Sequence, residues 1–124
     1  MQHPGSCHCG TVQFEVRADL DDETILDCNC SICRRKGFLH LIVPPERFGL
    51  SAGRGALAEY RFETRTALHR FCEICGIHPF YRPRSHPESV DVNVRCLENV
   101  DLDDLSVTPF DGANWSDHVD EIRS

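Results

Sequence analysis

Phe71-Cys72-Glu73-Ile74-Cys75-Gly76 is the stretch on which the reading of this chain turns. Two thiols three residues apart can wrap one metal ion, and Gly76 permits the tight backbone that such a knuckle needs. The same spacing serves thioredoxin-like redox chemistry, but that chemistry expects a βαβ setting, which the flanking sequence does not offer. A closed tetrahedral site needs two more ligands, and Cys7-His8-Cys9 can supply them. A further group, Cys28-Asn29-Cys30-Ser31-Ile32-Cys33, brings three thiols within six residues, and Cys96 stands alone. Spacing leaves the pairing open, because one of the middle three could equally join Cys72 and Cys75.

Three protein ligands leave a tetrahedral zinc with one open position, the feature that separates a catalytic from a structural site. Three thiolates give Zn²⁺ a local negative charge and make it a weaker Lewis acid than three histidines would. Such a site favours a soft ligand such as a thiol. The plainer alternative is that Cys96 or a histidine closes a second structural site.

Around the cysteines the sequence reads as short strands. Val12, Phe14 and Val16 alternate with polar residues over 11–17, a half-buried strand. Residues 19–23 form an acidic turn. Phe38 to Val43, which contains His40 and ends at Pro44-Pro45, reads as a more buried strand. Residues 47–56 carry Gly49, Gly53 and Gly55 and read mostly as loop. Strands are expected at 57–63 and 68–72 across a 64–66 turn, a short one at 79–84, and a clear one at 90–95 where Val90, Val92 and Val94 alternate. Residues 97–105 suggest a short helical turn. The tail from 114 to 124 suggests a short helix carrying Trp115, Val119 and Ile122. Turn-punctuated short strands point to a mainly β sandwich or open barrel. No repeat or linker interrupts the chain, so 1–124 is expected to be one domain.

At 124 residues with 40% hydrophobic content, the core is modest, and a small β domain gains from a metal staple. The formal net charge is −7, and ionised thiols around two zinc ions make it more negative still. That argues against nucleic acid or an anionic membrane as the main partner. No stretch approaches the ~18 apolar residues of a membrane span. Met1 to Gly5 begins no apolar run, so a reducing, cytoplasmic setting is expected, where clustered cysteines read as metal or redox sites.

Three segments together resemble one family. They are Ser6-Cys7-His8-Cys9-Gly10 with Val12 and Phe14, then Cys28 to Cys33 followed by Arg34, Arg35 and Gly37, then Phe71 to Gly76. They look like the glutathione-dependent formaldehyde-activating enzymes. Cys75-Gly76-Ile77-His78-Pro79-Phe80-Tyr81-Arg82-Pro83-Arg84-Ser85 and Phe110-Asp111-Gly112 with Trp115 are similar to the branch containing centromere protein V. The resemblance implies a tent-like zinc domain. It implies that Cys7, Cys9, Cys72 and Cys75 hold a structural zinc, and that Cys28, Cys30 and Cys33 hold a catalytic one. It also implies addition of glutathione to formaldehyde, giving S-hydroxymethylglutathione. Centromere protein V carries a basic region before this domain, whereas this chain is acidic, so microtubule or chromatin binding is not expected to carry over.

The expectation is therefore a zinc-dependent carbon–sulfur lyase acting on thiol–aldehyde adducts, with two zinc ions per chain. The three-ligand site should be the more labile. A small thiol and a small aldehyde are the expected partners, and a homodimer is left open. Arg34-Arg35-Lys36 follows Cys33 directly, and Arg34 and Arg35 are candidates to receive a substrate carboxylate. A solvated basic run is the ordinary alternative. Each isolated histidine is more often structural than catalytic. Cys96 reads as a small buried apolar residue, while Tyr60 and Tyr81 are candidate pocket residues. The rival to the enzyme is a non-enzymatic zinc-binding interaction module with two closed sites.

Overall fold

A computed structural model of the chain describes residues 1–60, 68–83 and 86–114. The 64–66 turn, Trp115 and the expected tail helix lie outside the described residues. Ten strands among the described residues form two sheets. They are β1 (Gln2–Ser6), β2 (Gln13–Arg17), β3 (Ile25–Cys28), β4 (Leu39–Val43), β5 (Phe48–Ala52), β6 (Leu57–Tyr60), β7 (Leu68–Cys72), β8 (Phe80–Arg82), β9 (Val90–Asn93) and β10 (Val107–Phe110). One α-helix, α1 (Ser31–Lys36), sits between β3 and β4. The small sheet runs β1-β2-β5 and the large one β10-β3-β4-β9-β8-β7-β6. All neighbours are antiparallel except β10, which lies parallel to β3.

The two sheets meet through aromatic rings. Phe14 on β2 stacks on Phe48 of β5 at 5.5 Å, and both meet Phe80 of β8, Phe48 at 4.7 Å and Phe14 edge-on at 5.9 Å. Register places Phe80, Val92 and Leu41 side by side on the face of the large sheet that looks into this core. Val12, Val16, Ile25 and Val43 complete it and are essentially inaccessible. Burying such a side chain is worth about 1.5–3 kcal/mol, which makes this the main source of stability.

Period two then dictates the other face of the large sheet. His69 pairs with Tyr81, Tyr81 with Asp91, and Asp91 with Ile42, two residues beyond His40. His69, Tyr81, Asp91 and His40 thus form a row across four strands, and all four are buried. Helix α1 lies over this row: the Lys36 ammonium is 4.5 Å from the centroid of the Tyr81 ring and 4.6 Å from that of Phe38. The large sheet therefore has an apolar face against the small sheet and a polar, buried face beneath α1.

The expectation of a loop over 47–56 is corrected in part. Phe48 to Ala52 is a strand, because its backbone pairs with β2 and Phe48 and Leu50 pack against the core. Gly53, at φ 89°, then turns the chain where a Cβ would strike the Thr11 carbonyl oxygen. The expected strand at 68–72 is Leu68–Cys72, the described part of the one expected at 57–63 is Leu57–Tyr60, and those at 11–17, 38–43, 79–84 and 90–95 have counterparts with trimmed ends. A single helical turn at Leu102–Asp104 answers the one expected over 97–105.

Candidate metal centres

The first cysteine group joins the β1–β2 turn to the turn after β7. Cys7 is packed into the core, while Gly10 (φ 80°) folds the chain back so that Cys9 returns beside it. Cys72 ends β7, and Gly76 (φ 80°) completes the turn that brings Cys75 round, with the Gly76 N–H donating to the Cys72 carbonyl. The four sulfurs of Cys7, Cys9, Cys72 and Cys75 all lie within 4.8 Å of one another. Cys9 Sγ is 3.6 Å from Cys7 Sγ and 3.7 Å from Cys72 Sγ. A tetrahedral ion with ~2.3 Å metal–sulfur bonds sets its ligands about 3.8 Å apart, whereas a disulfide needs ~2.05 Å. All eight cysteines are free thiols. The donor set is soft and the spacing fits a zinc-sized ion.

The electrostatics of the group suit shared charge. Burial pushes the Cys7 thiol up to about 11. Desolvation also acts on Cys75, but the backbone N–H groups of Cys9 and Ile77 and the neighbouring thiols outweigh it and leave it at about 6. Thr11, through its hydroxyl and then its backbone, lowers Cys9. Without a metal, such a group holds fewer than four thiolates; with one it can hold four.

The middle group forms where β3 runs into α1. Cys30 is the N-cap of the helix, and its Sγ accepts the Cys33 N–H at 3.4 Å. Cys28 and then Cys33 pull the Cys30 pKa far down, Cys30 pushes Cys28 up to about 11, and Cys28 and then Cys30 push Cys33 up. The group's wall is built by the segment after β10. Asn29 donates its backbone N–H to the Phe110 carbonyl and its side-chain N–H to Asp111, and accepts from the Ala113 N–H. This network sets Gly112 directly against Cys28, where a Cβ would fall 2.2 Å from Sγ.

A family model described as glutathione-dependent formaldehyde-activating enzyme matches residues 2–110. The chain belongs to that family. Its fold is similar to the crystal structure of a Rhodobacter sphaeroides protein, 39% identical in sequence, with a TM-score of 0.77 over 88% of this chain and 98% of the other. Membership supports a glutathione-related enzyme. Two groups could hold a metal ion and are compatible with zinc: Cys7, Cys9, Cys72 and Cys75, and Cys28 and Cys33 with His40.

The sequence left open a histidine as a further ligand without saying which, and the structure groups His40, rather than Cys30, with Cys28 and Cys33. A ring nitrogen of His40 lies within 4.8 Å of the Cys28 and Cys33 sulfurs. His40 Nδ1 is 2.6 Å from Asp91 Oδ2, and its Nε2 is buried with no hydrogen-bond partner among the described residues. Its signal in the sequence was a histidine inside an otherwise apolar strand. Cys96 joins neither group among the described residues; its Sγ sits 4.0 Å from the His78 carbonyl, and burial pushes it up to about 12.

A cleft of about 810 Å³ opens between α1 and the turn after Cys75. Ile32, Arg35, Lys36, Phe71, Ile77 and His78 are among its walls, and Tyr60 lies at its side. Arg35 reaches this cleft; Arg34 is not among its lining residues. Lys36, the third member of the basic run, is held more firmly. Its ammonium donates to His69 Nδ1 at 3.1 Å, and its pKa is lowered by burial. Burial, then the Lys36 charge, lowers His69 to about 3 and His78 to about 4, so both are neutral at pH 7. Burial and then Asp91 push the Tyr81 phenol up. Among the described residues lining the cleft, Arg35 and Lys36 carry the charge.

Proposed function

We propose that this chain is a carbon–sulfur lyase-type enzyme that joins a small thiol such as glutathione to a small aldehyde such as formaldehyde. The reaction site would be a zinc ion on Cys28, Cys30 and Cys33. The observation that carries the reading is that Cys28 and Cys33 come together within 4.8 Å, with Cys30 between them capping a helix whose next turn presents Arg35 and Lys36 to an open cleft. The Cys7, Cys9, Cys72 and Cys75 group would hold a second, structural zinc that ties the β1–β2 hairpin to the 72–76 turn.

Bound at the triplet, zinc supplies acidification of a thiol and polarisation of a carbonyl oxygen. The protein's own groups do the rest. Arg35 and Lys36 attract the carboxylates of an anionic thiol and orient it along the cleft. Phe71, Ile32 and Ile77 provide apolar walls that limit water. Gly112 and Asn29 hold Cys28 in place. In the addition a sulfur–carbon bond forms, the carbonyl π bond breaks, and the thiol proton ends on the former carbonyl oxygen.

The reach of His40 toward Cys28 and Cys33 favours a second reading, in which four protein ligands close both sites and the chain is an interaction module. Exchange NMR on glutathione and ¹³C-formaldehyde separates the two. Zinc-loaded wild type should accelerate adduct exchange above the spontaneous rate, and Cys30→Ser should not. Equal rates with both proteins would defeat the enzyme reading.

A further inference from the structure

The polar face of the large sheet ends at the cysteine triplet, and the row that reaches it is ordered. Tyr81, Asp91 and His40 come from three adjacent strands, β8, β9 and β4. Asp91 is 1% and His40 4% exposed. A buried carboxylate needs partners, and Asp91 finds His40 Nδ1 at 2.6 Å. The Tyr81 hydroxyl sits 3.4 Å from the same nitrogen. With Nδ1 donating to Asp91, the imidazole is fixed as the tautomer whose Nε2 carries a lone pair. That Nε2 is buried and has no hydrogen-bond partner among the described residues. A buried acceptor left unmet costs about 1–3 kcal/mol, so its position calls for a partner.

The partner that fits is a metal ion. A ring nitrogen of His40 is within 4.8 Å of both the Cys28 and Cys33 sulfurs, and Nδ1 is already engaged. A carboxylate on one imidazole nitrogen and a metal on the other is a common arrangement for ligating histidine, because the carboxylate fixes the ring and raises its basicity.

We propose that His40 Nε2 is the fourth ligand of the metal held by Cys28, Cys30 and Cys33, and that Asp91 is the residue that positions it. The resting site is then three sulfurs and one nitrogen. This rests on the assignment of the triplet as a metal site made under Proposed function. It adds that the open position of the working enzyme is made by displacement: the incoming thiol enters as thiolate, its proton passes to water, and the neutral imidazole gives way. His40 is the natural ligand to leave, since it is the only neutral donor of the four.

Cobalt(II) substitution of the full chain tests this without reference to turnover. Sulfur-to-cobalt charge-transfer intensity counts thiolates, and the visible ligand-field bands report whether the remaining donor is nitrogen, oxygen or sulfur. Wild type and His40→Ala should both load the Cys7 group identically, which shows that each variant is folded. At the second site, His40→Ala should shift the ligand-field bands and weaken cobalt binding while leaving the thiolate count unchanged. Asp91→Asn keeps the shape of the side chain and should weaken the second site by about 10–100-fold, with a smaller spectral change. Identical second-site spectra and affinities in wild type and His40→Ala would overturn the assignment. Glutathione added to the wild type should replace the nitrogen-type bands by those of four sulfurs. If the His40-dependent spectrum is present but glutathione does not change it, His40 is a permanent ligand; displacement and the enzyme reading then fail together, while the coordination assignment stands.

Discussion

Gly112→Ala gives a test of the second cysteine group in which the local fold and the metal respond differently. A Cβ at residue 112 would lie 2.2 Å from Cys28 Sγ and 3.2 Å from Cys30 Cβ. Real Cβ contacts do not fall under 3.0 Å, so the sulfur must retreat by at least about 0.8 Å, or swing to another rotamer. The thiol is the end of a short, rotatable side chain, so the fold can absorb the change for about 1–3 kcal/mol. A metal site cannot, because ligand distances tolerate only about ±0.2 Å. Losing one of three thiolates should weaken the second site by more than about 100-fold, beyond the typical effect of disturbing an outer-shell partner. The assay is metal content after dialysis against a graded chelator, with circular dichroism as the check on folding. The variant should keep the metal of the Cys7 group and lose the other. Retention of both metals at wild-type affinity would refute the placement of Gly112 against Cys28 and the role given to that thiol.

Further outcomes follow from the same geometry. Cys72→Ser should remove the metal of the first group and lower the thermal midpoint sharply, since that metal ties β1–β2 to β7; a variant as stable as the wild type, and equally insensitive to chelator, would count against it. Arg35→Ala should raise KM for glutathione roughly tenfold, the loss of one charge-assisted contact of about 1.5 kcal/mol, and Arg34→Ala should do much less because Arg34 does not line the cleft; equal effects would remove the cleft from the account. His69 and His78 have folded pKa values held at about 3 and about 4, below the ordinary 6.5. Their neutral forms therefore stabilise the fold above pH 6.5, and that stability is lost as pH falls toward 4 and then 3. Urea midpoints of the metal-free protein should decline over that range, and less so in His69→Phe; a flat profile would contradict the burial of these rings.

The cysteine groups were legible because each contains its own spacing. Two thiols three residues apart with a following glycine, or three within a six-residue stretch, constrain geometry before any tertiary contact is known. Strands β2, β4, β7 and β9 were legible because alternation or an apolar run marks a half-buried or buried strand. The missed elements lack such local marks. Gln2–Ser6 is a strand because β2 is there to pair with it, and Gly5 accepts the Phe14 ring across the ladder. Val107–Phe110 contains a proline and joins β3 in parallel, a partnership that sequence neighbours cannot announce. Helix α1 has only six residues and is capped by Cys30, so its thiol pattern concealed a helix start. His40 is the instructive case. In β4 it faces away from Leu39 and Leu41, and nothing local says that α1 will bury that second face. Its partner Asp91, in Val90-Asp91-Val92-Asn93, alternates as an exposed polar residue would, yet is 1% exposed. Only strand order brings the two together.

Zinc K-edge X-ray absorption on the purified, reduced protein, read together with its zinc-to-chain ratio, tests the central claim most directly. The account predicts two zinc ions per chain, each bound mainly by sulfur at ~2.3 Å, with a minor nitrogen shell. Protein without zinc, or a first shell of oxygen with the thiols paired as disulfides at ~2.05 Å, would contradict it.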